Sequence, residues 1–502
     1  MSAASAHTTG GKPPVHRGLI LLTVIVGTFL GRLDQTIVNL ALPKIINDFS
    51  ITVSSAGWIA TAYILANAVF VPIWGKLGDT IGRKKVYLAG FIMFIVGSLL
   101  AGLSWNLPSM IVFRVIQAIA GSADYPTAMA ILTVTYTTNK ERAQALGIWS
   151  SAFAVSAVLG PLIGGPLIDN FSWRAVFLIN VPIGIIGILM AMAFIRESVS
   201  EKKTHKFDVP GALALGICLS SIVLVLDKGM DWGWVSVGSV LCYITAIVSL
   251  IVFIILEQRH PEPIVDLKFF KNKIFTQTLL NNFIIFMGMM GSVFLIPVFS
   301  QTFLGYDATQ SGLLFVPMAF ALMLAAPLGG RLTDSVQPRY VIMASTIVAA
   351  LGLYLFSFID ARSGAWDIMG PLSIMAFGMG FGMAQRTNVI AAAVPKQEIG
   401  MASSVLALAR NVAGAFGVAI FATLLNSSIE HNVLVINQYS QFHGTTPAEY
   451  QQYVSLITLK AQIDGYKTVF VVSSILVFIG GLLSWFIGDV KLKKGVEVHV
   501  EA

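Results

Sequence analysis

Charge is what this sequence has least of. Only 11% of its 502 residues are Asp, Glu, Lys or Arg, 56% are apolar, and the mean hydropathy is +0.79. A soluble domain carries about 25% charged residues, so the composition is that of a membrane protein. Cysteine is almost absent: Cys218 and Cys242 both lie inside apolar runs, which excludes a disulfide framework and a Cys-rich metal site. The seven histidines, at 7, 16, 205, 260, 431, 443 and 499, all fall in predicted tails or loops. No G-x-x-x-x-G-K-[ST] phosphate loop occurs, because Gly75-Lys76 is followed by Leu77, and there is no H-E-x-x-H metal motif. No polar segment exceeds about 45 residues, too short for an ATPase domain. The sequence therefore predicts no metal and no cofactor, and leaves an ion gradient as the source of energy.

Long apolar runs are abundant. Stretches able to cross a ~30 Å hydrocarbon core occur near 18–42, 55–74, 86–104, 107–134, 144–168, 174–194, 209–227, 234–256, 274–302, 310–330, 340–358, 368–393, 400–425 and 467–487, which predicts fourteen spans. Residues 1–17 are polar, and the run behind them is too long and lacks the small-residue cleavage pattern of a signal peptide, so they read as a cytoplasmic tail before an uncleaved span. With that end inside, 22 of the 32 Lys and Arg fall in inner segments and six in outer loops. This bias places both termini in the cytoplasm of a cell-membrane protein. It also explains the net charge of +7 without nucleic acid as a partner. The one long outer loop, 426–466, contains Thr446-Pro-Ala-Glu449, a capping box with proline at the first helical position, and predicts a short amphipathic helix on the outer membrane surface.

The chain repeats itself. Gly75-Lys-Leu-Gly-Asp79 recurs 255 residues later as Gly330-Arg-Leu-Thr-Asp334, and Pro43 and Pro297, 254 apart, each stand near the end of the span that opens a half. The expected fold is all-α: two six-helix halves in parallel pseudo-repeat, with two extra spans between them. The expected divisions are a tail at 1–17, a first half at 18–194, a linker with the extra spans at 195–256, a second half at 257–487 and a tail at 488–502. In such repeats the substrate site lies at the interface of the halves.

The candidate site residues follow from an inventory. All ten Glu and all but a few of the fifteen Asp lie outside the span interiors; Asp34 and Asp124 are the two deep ones. A carboxylate at that depth costs about 2.5–3.5 kcal/mol on insertion scales, which marks a functional position by default. A proton carried through the bundle by a side chain must use one of them. Arg114, Gln117, Gly121 and Asp124 fall on one face of the fourth span at 100° per residue. Arg32, two residues from Asp34, cannot lie beside it on the same helix. The alternative for these charges is a set of structural ion pairs locking the halves together. Tyr63, Tyr125 and Trp149 are candidate aromatic contacts for flat apolar ligands. Gly160-Pro161-Leu-Ile-Gly164-Gly165 predicts close packing and a bent fifth span. Gly75–Lys85 reads as an inner loop with a tight turn, in which Asp79 is placed to meet the N-terminus of a neighbouring helix such as the one opening near Gly400, and Arg83 adds positive charge.

Five stretches carry a resemblance: Leu33-Asp34-Gln-Thr36-Ile-Val-Asn39-Leu-Ala41-Leu-Pro43; Gly75–Lys84; Arg114-Val-Ile-Gln117-Ala-Ile-Ala-Gly121; Gly160–Gly165; and Trp173-Arg174 with Asn180-Val-Pro182. With the span count they make the chain resemble the fourteen-span drug:proton antiporters of the major facilitator superfamily. The resemblance implies that Asp34 is the first-span acid of proton and substrate coupling, that Arg114 influences proton transfer, that Asp79 is a conformational latch, and that Gly160–Gly165 is an antiporter motif. Asp124 matches no family-wide position and rests on the inventory alone. The second half departs from a cation exporter's profile: its spans carry Arg386 and Arg410 and no acid, which leaves anionic and zwitterionic amphiphiles open. The expected function is proton-coupled export of amphipathic drugs or toxic compounds by a monomer alternating access within the bilayer. Its rivals are a dedicated exporter of a native lipid or metabolite and a non-transporting membrane receptor or scaffold.

Overall fold

Every long apolar run becomes helix in the computed structural model, and no strand occurs among the described residues, which are 16–136, 139–197, 208–261, 263–332, 336–395, 398–439 and 446–488, some side chains within the helices excepted. In chain order the helices are α1 (Arg17–Phe49), α2 (Val53–Ile81), α3 (Arg83–Gly102), α4 (Leu107–Gly121), α5 (Asp124–Thr135), α6 (Asn139–Asn170), α7 (Ala175–Leu178), α8 (Asn180–Phe194), α9 (Val209–Trp232), α10 (Val237–Arg259), α11 (Lys273–Phe303), α12 (Ala308–Leu313), α13 (Val316–Arg331), α14 (Pro338–Leu355), α15 (Ala365–Ala392), α16 (Ile399–Tyr439) and α17 (Pro447–Leu483). In a bilayer core only such internally hydrogen-bonded segments are viable, so apolarity over this length dictates helix.

Among the described residues, twelve helical segments are long and apolar enough to span a bilayer. The difference from fourteen has a local cause. The predicted span 107–134 is split into α4 and α5, each short, and part of α6, which covers the predicted span 144–168, lies outside the described residues. The split traces to Pro126, which has no amide to offer the Ser122 carbonyl four residues back. There the ladder tightens, with the Ala123 amide donating to the Ala120 carbonyl at 3.1 Å.

The Gly75–Lys85 stretch is not a loop. Helix α2 runs on through Gly75 to Ile81, and one residue, Gly82 at φ +113°, turns the chain into α3. Only glycine adopts that φ without strain. Arg83 opens α3 and reaches the Ala130 carbonyl at 3.4 Å. The side chain of Asp79, and Asp334 in the repeat, lie outside the described residues, as do the surroundings of Gly400.

The 426–466 segment also differs from expectation. The capping box forms, with the Glu449 amide donating to Thr446 Oγ1 and the Thr446 amide to the Glu449 carboxylate. The helix it starts does not lie apart on a surface; it continues as α17 through the last span, because no breaker separates the apolar stripe from that span. Helix α16 likewise runs on to Tyr439, carrying His431 within it. Asn432 Nδ2 donates to the Ala461 carbonyl, joining the two extensions.

The halves meet at the end of the bundle away from the basic turns. Asp169, at the end of α6, accepts from the Ala308 amide at 3.1 Å, and from the Thr309 amide and hydroxyl at 2.9 and 2.7 Å. Gln301 Nε2 donates to the Leu40 carbonyl at 3.0 Å. One apolar cluster runs through both halves here, from Ile37, Leu40 and Ile45 to Phe294, Leu314 and Phe315. Toward the basic end the clusters separate, one built on Ile20, Tyr87 and Trp149 and another on Phe275, Ile390 and Val405. The extra helices α9 and α10 pair with each other, and α9 lies against both α2 and α16. Among the described residues, the halves are therefore joined at the end away from the basic turns, and further in through α2, α9 and α16.

Candidate functional site

Asp34 sits at the middle of a wholly buried hydrogen-bond network. Arg114 Nη1 lies 2.6 Å from its Oδ2 as an ion pair, while Gln117 Nε2 and Asn180 Nδ2 each donate to Oδ1 at 2.9 Å. Ser98 Oγ accepts from Gln117 at 2.6 Å and from Asn180 at 3.3 Å, and Arg114 Nη1 also reaches Gln117 Oε1 at 2.7 Å. Arg114 is further covered by the Tyr63 ring, 4.1 Å from Cζ, and by Phe177 at 5.6 Å. The side chains of Asp34 and Arg114 are 0% and 2% exposed, so in this conformation neither is open to water.

Helix α4 supplies Arg114 and Gln117 three residues apart, on one face, as the sequence predicts. Its N-terminus is fixed by Asn106, whose side chain accepts from the Ser109 amide in a capping box. Asn180 arrives because the chain breaks between α7 and α8 and restarts helix at that residue. Gly160 and Gly164 let α6 lie against Thr36 and Ile37 of α1, one turn beyond Asp34, and Gly165 sits against the Thr309 backbone of the other half. Pro161 presents its carbonyl to Gly312. This motif thus holds the first helix and the joined end of the halves together.

Asp124 belongs to a second node. It opens the first turn of α5, just past the break at Ser122–Ala123, and lines the same small cavity as Gly121. Thr28 Oγ1 donates to Asp124 Oδ2 at 2.7 Å and accepts from Trp149 Nε1 at 2.8 Å. Asp124 Oδ1 is buried with no hydrogen-bond partner. Beside it lies a cavity of about 20 Å³ lined by Gly27, Leu30, Tyr87, Phe94 and Gly121, room for about one water. Arg32, partly buried, donates to Gln35 Oε1 at 3.1 Å and is close enough to Asp124 for their charges to attract. Tyr125 packs on Trp149 with ring centroids 5.3 Å apart.

The two arginines of the second half also part company. Arg386 is 1% exposed and is held by neutral groups: Nε to Asn281 Oδ1 at 2.7 Å, Nη2 to Thr346 Oγ1 at 2.7 Å and Ser345 Oγ at 3.3 Å, and Nη1 to the Met379 carbonyl at 3.3 Å. No carboxylate pairs with it among the described residues. Arg410, partly exposed, reaches Asn282 Oδ1 and Thr387 Oγ1, each at 3.4 Å, and lies 5.1 Å from the Phe286 ring. Among the described residues no three His, Cys, Asp or Glu side chains gather as a metal site would require.

The structure thus joins Asp34, Arg114, Gln117 and Tyr63, places Asp124 with Trp149 and Tyr125, and leaves Arg386 and Arg410 in the second half. Sequence reasoning missed Ser98, Asn180, Thr28 and Asn281. Asn180 had one signal, its place in the Asn180-Val-Pro182 stretch. The others are single polar residues in apolar helices, with nothing in their spacing to set them apart.

Residues 24–418 match the family model described as Major Facilitator Superfamily. The chain is 30% identical over 452 residues to the multidrug transporter protein MdtP of Bacillus subtilis (strain 168), covering 89% of this chain and 82% of that one. It is also 30% identical over 417 residues to the riboflavin transporter RibZ of Clostridioides difficile (strain 630), covering 82% and 89%. The fold matches the crystal structure of a bacterial homologue of the human lysosomal transporter Spinster, in an inward-facing and unoccupied conformation, with a TM-score of 0.69 over 95% of this chain and 98% of that one at 17% identity. A buried acid–arginine network between antiparallel spans, in an all-helical fold of two repeated halves, agrees with these matches: the chain is a membrane transporter, not an enzyme, and belongs to the major facilitator superfamily.

Proposed function

We propose that this protein is a proton-coupled exporter of amphipathic compounds, drugs among them, in the cell membrane. The observation that carries the reading is the Asp34–Arg114 pair together with the half-satisfied Asp124. These are two buried acids on the inner helices of one half, one locked to an arginine and the other with an open lone pair. Protonation of either acid changes the charge of the substrate cavity, and a proton on Asp34 weakens its hold on Arg114. The pair is thus a switch that a proton throws. The contacts that join the halves at the end away from the basic turns support alternating access, with the halves rocking about the site.

In this reading the basic end faces the cytoplasm with both termini, by the positive-inside bias. Counting α4 with α5 as one crossing, and α6 as another, restores fourteen spans, divided as 18–194, 195–256 and 257–487, and the protein works as a monomer. One proton moving across 100 mV supplies about 2.3 kcal/mol, enough for about a fifty-fold gradient of a neutral substrate. Likeness to MdtP supports drugs as substrates. Likeness to RibZ supports a second reading, export or uptake of one flat aromatic metabolite.

Everted membrane vesicles holding a proton gradient, followed with a pH-sensitive dye, test the mechanism. Addition of an exported amphiphile is expected to dissipate the gradient in the native protein and not in Asp34→Asn. If no compound from a broad resistance panel does so, the antiport reading is wrong. Resistance to many unrelated compounds would favour drug export; resistance to one would favour the second reading.

A further inference from the structure

Thr28 and Asn282 are 254 residues apart, the same shift that relates Pro43 to Pro297. Each is a buried polar residue in the opening helix of its half, and each contacts the half's fourth or fifth span. Thr28 binds Asp124 and Trp149. Asn282 binds Arg410, which also reaches Thr387. The charged residues that Thr28 and Asn282 bind are of opposite sign.

The second-half node has features of an anion site. Asn282 is wholly buried, and its amide orientation is set by Arg410, whose Nε donates to Oδ1. That leaves Nδ2, a donor, buried without a partner. A buried donor of this kind is costly unless an acceptor meets it. Arg410 reaches Asn282 and Thr387 at 3.4 Å each, beyond the usual 2.7–3.2 Å range. Arg386 stands near enough for the two guanidinium charges to repel each other. A second, carboxylate-free cation thus raises the positive potential at the node. The Phe286 ring beside Arg410 supplies an apolar wall.

Position adds to this. A side chain at Gly414 would meet Met290 of α11 and, at its edge, Ile64 of α2, so that face of α16 lies where its own half borders the first. Arg410 is one turn away on the same stripe, toward the basic end. Substrates of this fold bind between the repeats.

We infer that Arg410 and Asn282 form a subsite for the carboxylate of an aromatic amphipathic substrate, with Phe286 against its ring system. The inference rests on the export reading above and names the substrate's chemistry: a zwitterion or anion rather than a simple organic cation. Guanidinium and amide together offer the donors a carboxylate needs, and charge-assisted bonds of this kind are the strong ones.

The test uses the purified full-length protein and a pair of fluorescent probes, norfloxacin and its methyl ester, which differ in the carboxylate. Affinity is read by fluorescence titration. The native protein is expected to prefer the acid. Arg410→Gln and, separately, Asn282→Asp are expected to weaken the acid by about tenfold or more, with the ester little changed; Arg410→Lys should keep part of the preference. Ester binding reports that each variant is folded. Equal losses for acid and ester, or no loss in any variant, would overturn the subsite. The vesicle assay separates this from the export reading: if neither probe moves protons in the native protein but the acid preference still depends on Arg410 and Asn282, the subsite stands and the antiport reading does not.

Discussion

Arg114 and Arg386 are both fully buried guanidinium groups on the fourth span of a half, and they are neutralised in different ways. Arg114 faces the carboxylate of Asp34 at 2.6 Å. Among the described residues, Arg386 faces only neutral oxygens, from Asn281, Ser345, Thr346 and the Met379 backbone. The folds of the halves repeat, but their electrostatics do not. A cation held by dipoles has no partner that a proton can neutralise; a cation held by a carboxylate does. On the proposed reading the switch belongs to the first half and a fixed positive charge to the second.

The largest expected effect comes from breaking the charged node. Arg114→Met leaves Asp34 buried and unpaired, which costs about 3–5 kcal/mol, and thermal unfolding of the purified protein should drop accordingly. The double variant Arg114→Met with Asp34→Asn should recover most of that loss, and failure to recover would mean the two side chains act independently. A smaller effect is expected in the neutral node. Arg386→Met strands the Asn281 and Thr346 oxygens at about 1–3 kcal/mol, and proton exchange per substrate exported should stay at the native value. If it falls, the halves share the switch. The smallest effect belongs to the aromatic cover: Tyr63→Leu removes the ring 4.1 Å from Arg114, a cation–π contact worth about 0.5–2 kcal/mol, and unfolding measurements should resolve it from the first two.

Much of this was legible before the fold was. Hydropathy located the helices, since in lipid length and apolarity leave the backbone no alternative. The inventory of acids singled out Asp34 and Asp124, and helical spacing put Gln117 beside Arg114. The pairing of Asp34 with Arg114 was not legible, because it depends on the relative depth of two helices. Asp34 lies fifteen residues before the end of α1, and Arg114 seven after the start of α4, so counting from span ends does not align them. Periodicity also did not show the break between α4 and α5, because it assumes an unbroken helix and Pro126 breaks this one. Ser98, Thr28 and Asn281 show the third limit: a lone hydroxyl or amide in an apolar helix gains meaning only from what another helix brings to it. Glu257 adds a further case. The sequence places it outside the span interiors, yet it is 4% exposed within the last turns of α10.

The most direct test of the account is the number of protons the purified protein releases when substrate binds, read with a pH dye in weakly buffered solution. The native protein and Arg386→Met should each release about one proton per substrate bound, as expected for a carboxylate that exchanges its proton for ligand. The double variant Asp34→Asn with Asp124→Asn should bind substrate and release none. Undiminished release from the double variant would place the proton elsewhere and contradict the account.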